Sequence, residues 1–305
     1  MDKPTDIADL DRFAQMIGVP KFVLTKQIFS ADRYYKTFRI SKRSGAGYRT
    51  ISAPAKELKG IQRWILVNIL RHLPISPAST AFRPGCSIVK NAAPHCCSEF
   101  VLAVDIADFY PSISTKRVLG LFKQVGYCKE VAFALARLTT CKGILPQGAP
   151  TSPEIANLIC RHLDARLLGF SSRNGWKYSR YCDDLTISGS GHVTSGAIKT
   201  VEDIVLTEGF VVRESKTHMM RKNRRQIVTG LVVNEKPSIP RFMRKRLRAI
   251  FHQAALDPND FVTRFDELSG HAAYLKMVRP ADPMLCTGGM VETCLEALKS
   301  CTHQT

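Results

Sequence analysis

The sequence predicts an α+β protein of two or three subdomains, and three observations carry that expectation. The chain is 305 residues long, more than one small core accommodates. Short runs rich in Val, Ile, Leu, Tyr and Thr, suited to strands, alternate with stretches whose apolar residues recur every three or four positions, suited to helices. Apolar residues make up 45%, the ordinary share for a globular protein.

In chain order, Ile7, Leu10, Phe13 and Ile17 share one helix face that Gly18-Val19-Pro20 ends, and a second helix covers Lys21 to Phe29. Phe38-Arg39-Ile40 and Tyr48-Arg49-Thr50-Ile51 read as strands, with Lys42 to Gly47 as the turn between them. Lys42 offers a point charge and Arg49 a two-pronged donor, a pairing that suits a triphosphate; a solvated hairpin tip accounts for them equally well. Pro54 to Leu73 reads as a long helix with Leu58, Ile61, Ile65 and Ile69 inward. In Asn91-Ala92-Ala93-Pro94-His95, the histidine has no metal partner in view and reads as structural.

Phe100 to Ile106 is a buried strand by length and composition, yet Asp105 sits at its end, where an acid is costly unless paired or functional. Tyr110 follows five residues on, where its ring could wall a pocket. Helices are expected over Ser114 to Lys123 and Ala132 to Leu138. The stretch Gly143 to Pro153 is a loop leading into a helix, with Ser152 as N-cap and Pro153 in the first turn. Gln147 and Gly148 place an amide and a bare backbone at its mouth, suited to a sugar or base; a simple Pro/Gly turn explains the breakers but not that pairing.

Trp176 to Ser188 holds two strand-like runs around Asp183-Asp184, so the acids fall at a hairpin turn. Taken alone, this is an acidic surface turn. A helix from Ala197 to Glu208, a short strand at Gly209 to Val212, a strand from Gln226 to Val233 bent at Gly230, and a helix from Pro240 follow. On that last helix Arg241, Arg244, Lys245 and Arg248 form a stripe with no acid opposite, and Met243, Leu247, Ile250, Phe251 and Ala254 form another. Residues 257–305 read as helices with Pro breaks.

The balance of 44 Lys+Arg against 26 Asp+Glu, net +18, calls for an anionic partner, of which nucleic acid is the commonest. Ten cysteines without a Cys-x-x-Cys pair give no zinc-ligand spacing. Neither a signal peptide nor an apolar run of membrane-spanning length is visible, which points to a cytoplasmic protein with reduced thiols and no membrane partner. If the strand ending in Asp105 and the hairpin of Asp183 and Asp184 join one sheet, three carboxylates meet at its edge. Such a hard oxygen site suits Mg²⁺, and two ions could activate a hydroxyl and hold a leaving pyrophosphate.

With these motifs in order, Asp105-Ile106-Ala107-Asp108-Phe109-Tyr110, Leu145 to Pro153 and Tyr181-Cys182-Asp183-Asp184, the chain resembles the reverse transcriptases. Asn91 to His95 and Val228-Thr229-Gly230 mark its similarity to the bacterial retron type; Cys182 departs from the small Ala frequent there. The resemblance implies a right-hand polymerase: N-terminal helices and fingers over 1–100 and about 112–143, palm over 101–111 and 144–233, and a basic helical thumb over 234–305. It implies that Asp105, Asp183, Asp184 and the Ile106 carbonyl hold two Mg²⁺ ions, and that Tyr110 selects deoxynucleotides. Lys42 and Arg49 would hold the triphosphate of the dNTP, Gln147 and Gly148 the incoming nucleotide, and Lys216 would serve as acid toward pyrophosphate. Asn91, His95, Val228, Thr229 and Gly230 would grip a cognate structured noncoding RNA, and Arg241, Arg244, Lys245 and Arg248 would track the template–primer duplex. It further implies priming from a guanosine 2′-hydroxyl, a branched RNA–DNA product, an effector protein encoded nearby and anti-phage defence. The alternatives are a noncatalytic RNA-binding scaffold for an effector and a group II intron or diversity-generating enzyme.

Overall fold

A computed structural model describes residues 6–42, 47–285 and 289–302. The chain runs α1 (Leu10–Ile17), α2 (Lys21–Phe29), β1 (Tyr35–Ser41), β2 (Tyr48–Pro54), α3 (Lys56–Asn68), α4 (Ile88–Ala92), β3 (Phe100–Asp105), α5 (Thr115–Gln124) and α6 (Lys129–Thr139). It continues α7 (Ser152–Ile159), α8 (Arg161–Arg173), β4 (Lys177–Tyr181), β5 (Asp184–Gly189), α9 (Ser195–Thr207) and β6 (His218–Arg221). It ends β7 (Ile227–Val228), β8 (Leu231–Val232), α10 (Arg241–Leu256), α11 (Phe265–Val278) and α12 (Met290–Thr302). This is an α+β protein. β1 and β2 pair antiparallel, β7 and β8 likewise, and a four-stranded sheet has the order β4-β5-β3-β6.

The chain divides into two compact units, residues 1–84, 104–185 and 192–217, and residues 85–103, 186–191 and 218–305. In the first, α1 starts at the Asp9 side chain, which accepts from Arg12 N, and ends at Gly18, whose left-handed φ of 71° closes the cap. α6 carries Ala132, Ala134 and Ala136 inward, and their small size lets α1, α2, α3 and α5 pack against one helix. The Gly143 to Pro153 loop departs by one residue from the expected cap: Thr151 is the N-cap, and Ser152 lies inside α7, its hydroxyl donating to Pro146 O at 2.6 Å. The strand expected at Gly209 to Val212 is reduced to one bridge, between Ile106 and Val212. The tip of the β1–β2 hairpin, residues 43–46, lies outside the described residues.

The second unit has its own core, in which Ala92 and Val101 pack with Leu247, Phe251, Leu268, Leu275 and Leu298. β3 and β6 pair antiparallel here, Phe100 opposite Arg221. The strand expected over Gln226 to Val233 is instead two short strands joined by Thr229 and Gly230, at φ 45° and 80°. Segment 85–103 thus shares a core with the C-terminal helices.

Candidate active site

β3 is an apolar run whose burial ends in Asp105, itself 4% exposed. Backbone bonds stitch three segments around it: Ile106 N donates to Asp183 O at 3.0 Å, Arg213 N to Asp105 O at 2.8 Å, and Ala107 N to Val211 O at 2.8 Å. The acidic turn is held open by Cys182 at φ 61°, an unusual conformation for a residue with a Cβ. Its carbonyl accepts from Arg180 Nη1 at 3.2 Å. Arg180 is wholly buried and forks onto Asp164, Nε to Oδ1 and Nη2 to Oδ2 each at 2.8 Å, while Tyr178 and Asn157 complete the network.

The carboxylates differ in their surroundings. Asp105 Oδ2 accepts from Lys216 Nζ at 2.7 Å; Oδ1 lies 3.4 Å from Arg213 Nε and is buried without a hydrogen bond. Asp184 sits at the rim, exposed by area yet hemmed in by protein. Desolvation first, then the charges of Asp183 and Asp105, push its carboxyl up to about 6 against the pull of Lys216. The three acids are therefore electrostatically coupled. Among the described residues no three His, Cys, Asp or Glu groups make a ready cation cluster. The Lys216 ammonium lies 2.7 Å from Asp105 Oδ2 and balances part of this negative charge. An all-oxygen donor set, one orphaned buried carboxylate oxygen and a raised neighbouring acid fit a hard divalent cation.

Beside Asp183 opens a cleft of about 770 Å³, and all six candidate nucleotide residues, Lys42, Arg49, Tyr110, Gln147, Gly148 and Lys216, line it. Tyr110 has its hydroxyl 3.5 Å from Cys182 Sγ, and burial raises its phenol far above the ordinary range. Beneath it Phe109 stacks on Phe210, over which Arg117 lies at 4.4 Å. Gly148, at φ 122°, earns its place through packing: a Cβ would come within 2.9 Å of Ile51 and 3.1 Å of Ser52 O, where Ser52 N bonds Gln147 O. Phe82, which the sequence reading passed over, also lines the cleft.

The candidate RNA residues, in the second unit, differ in exposure. Asn91 and His95 are fully buried and cannot touch an RNA surface directly. His95 Nδ1 lies 2.7 Å from Ser188 Oγ, which also accepts from Ser98 at 3.1 Å, so the pentad pins its segment to β5. Val228 is buried and Thr229 donates to Ile88 O at 3.1 Å; Gly230 alone of that triplet is exposed. On α10, Arg241, Lys245 and Arg248 are exposed, but Arg244 pairs with Asp282, which Arg279 also flanks. The stripe is therefore not free of acids; its partner lies too far along the chain for sequence spacing to reveal.

Residues 40–239 match the family model of the reverse transcriptase (RNA-dependent DNA polymerase). The chain belongs to that family. Within it, curated relatives at 35–40% identity are retron reverse transcriptases. The chain is 40% identical to the Retron Mx65 reverse transcriptase of Myxococcus xanthus over 81% of this chain and 62% of that protein. It is 40% identical to the Retron Ec86 reverse transcriptase of Escherichia coli over 74% and 71%, and 35% to the Retron Mx162 reverse transcriptase of Myxococcus xanthus over 91% and 65%. The chain thus spans roughly two thirds of those relatives' length.

Proposed function

We propose that this protein performs RNA-templated DNA synthesis from dNTPs at the Asp105–Asp183–Asp184 edge. One observation carries the reading: the backbone bond from Ile106 N to Asp183 O brings the end of β3 and the acidic turn together beside a cleft lined by Arg49, Tyr110 and Gln147. Asp105, Asp183, Asp184 and the Ile106 carbonyl would hold two Mg²⁺ ions, which when bound polarise the attacking hydroxyl and the leaving pyrophosphate oxygens. The chain's own groups do the rest. Lys42 and Arg49 bind the triphosphate; Gln147 and Gly148 orient the sugar and base; Tyr110 fills the space a 2′-hydroxyl needs. Lys216, charged and already hydrogen-bonded at the site, gives a proton to pyrophosphate.

The exposed Arg241, Lys245 and Arg248 run along the phosphates of the template–primer duplex, with Gly230 and Thr229 beside a structured noncoding RNA. Asn91 and His95 act through the position of their segment. We extend the reading to a right-hand polymerase with fingers, palm and thumb, priming from a guanosine 2′-hydroxyl to give branched RNA–DNA, a nearby-encoded effector, anti-phage defence and a bacterial cytoplasmic setting. No described helix is long and apolar enough to cross a membrane.

Primer extension on an RNA template with Mg²⁺ and dNTPs tests the core of it. Purified protein should extend the primer, and Asp183→Asn should abolish extension while still binding RNA. Undiminished synthesis by Asp183→Asn would refute the site; RNA binding by the parent protein without incorporation would favour a scaffold.

A further inference from the structure

We propose that Phe82 is a fixed stacking platform for a nucleobase in the cleft, an assignment that rests on the polymerase reading of that cleft. Arg180 N donates to Ala78 O at 2.8 Å, and Thr80 returns two bonds to Arg180 O, from N at 2.9 Å and Oγ1 at 3.0 Å. Ser79 Oγ donates to Asn157 Oδ1 at 2.9 Å, and Asn157 Nδ2 donates to Ala81 O at 3.2 Å. On the other side the Arg83 guanidinium pairs with buried Glu154 and donates from Nη2 to Leu73 O at 2.7 Å. Both flanks of the segment are thus fixed to the interior by buried polar groups, an arrangement that is rigid when fully bonded.

Phe82 alone turns outward. It is 49% exposed and holds a left-handed φ of 67°, a conformation that is strained for a bulky side chain and that glycine adopts freely. Burial does not explain its presence, because half the ring faces solvent. Its ring lies 6.3 Å from that of Tyr181, the residue preceding the acidic turn, and it lines the cleft with Arg49, Gln147 and Asp183. Strain kept at a rigidly framed position points to a working residue. An apolar π-face in a cleft that also carries Lys42, Arg49 and Lys216 is the combination that holds nucleic acid without reading its sequence: cations for phosphates, an aromatic ring for the base. The ligand is a purine or pyrimidine face, from either an unpaired template base or the base of the incoming nucleotide.

The test uses 2-aminopurine, whose fluorescence falls on stacking. The full chain is bound to a primer–template with a dideoxy-terminated primer. In one arm the probe is the templating base; in the other it is 2-aminopurine deoxyriboside triphosphate added to unlabelled duplex. The parent protein and Phe82→Tyr should quench in one arm. Phe82→Gly should lose that quenching and weaken the affinity at least about fivefold, with no fall in melting temperature, because glycine relieves the strained φ. Phe82→Leu, which keeps apolar bulk without the π-face, should lose quenching as well. Full quenching by Phe82→Gly in the arm where the parent quenches, or parent protein that extends primers but quenches in neither arm, overturns the platform alone. Parent protein that neither binds duplex nor extends primers overturns the polymerase reading and this inference with it.

Discussion

Asp164 and Asp105 are both buried aspartates of the same compact unit, and they are bonded in opposite ways. Both oxygens of Asp164 are used by the Arg180 fork, with the Tyr178 hydroxyl at 2.8 Å as a third donor. Asp105 has one oxygen on an exposed lysine and the other without a hydrogen bond. A satisfied buried charge is scaffold, since it has nothing left to offer a ligand. An under-satisfied one keeps a lone pair in reserve at a cost to the fold, and such costs collect where chemistry is done.

Substitution should separate the two roles cleanly. Asp105→Asn should cut nucleotide addition by about 10³-fold or more, the loss of several kcal/mol of transition-state stabilisation, while the melting temperature holds or rises. Asp164→Ala should do the reverse. It strands the Arg180 charge in the interior and should cost about 3–5 kcal/mol of stability, read by denaturant unfolding, with residual folded protein still able to bind nucleic acid. If Asp105→Asn unfolded the chain and Asp164→Ala were silent, the contrast would collapse.

This contrast was only half legible in the sequence. Asp105, Asp183 and Asp184 stand out because each breaks a strand-like run, and Lys42, Arg49 and Gln147 because they sit at loop mouths; all these signals are local. α2 runs from Lys21 to Phe29, the bounds expected from the sequence. Arg180 looks like one more strand residue, since its partners Asp164, Asn157 and Thr80 lie in other segments. Phe82 escaped for the same reason, its strain being set by the tethers on either side. His95 reads as structural from its sequence alone, but its partner Ser188 lies too far along the chain for spacing to reveal. β6 was missed because His218 and Arg221 interrupt its apolar pattern, and Thr229 gives no warning of a positive φ.

Lys216 sharpens the comparison from the partner's side. It is more than half exposed, so its bond to Asp105 adds little to folding, far less than the Arg180 fork does for Asp164. Lys216→Met should therefore leave the melting temperature nearly unchanged and lower single-turnover nucleotide addition about 10²-fold, the low end of what a lost proton donor costs. Lys216→Arg should recover nucleotide binding but little of the rate.

The smallest effect belongs to a third acid, Glu208, whose partners are surface groups. Burial alone would raise its carboxyl, but hydrogen bonds from Arg166 at 2.7 Å and His162 at 2.8 Å hold it below the usual glutamate range. A depressed carboxylate stabilises the fold while ionised. Its contribution is therefore whole above about pH 4.5 and is lost as pH falls through the lowered folded value. Glu208→Gln should thus lower the melting temperature slightly at pH 7, and the gap to the parent should close on acidification below pH 4.5. His162 is largely exposed, so solvent and salt weaken the pair, and added NaCl should shrink the same gap at pH 7. Salt should leave the Asp164→Ala deficit nearly intact, because the fork it removes lies out of reach of water. A gap for Glu208→Gln that matched that deficit, or that widened in acid, would mean that burial does not rank these three acids.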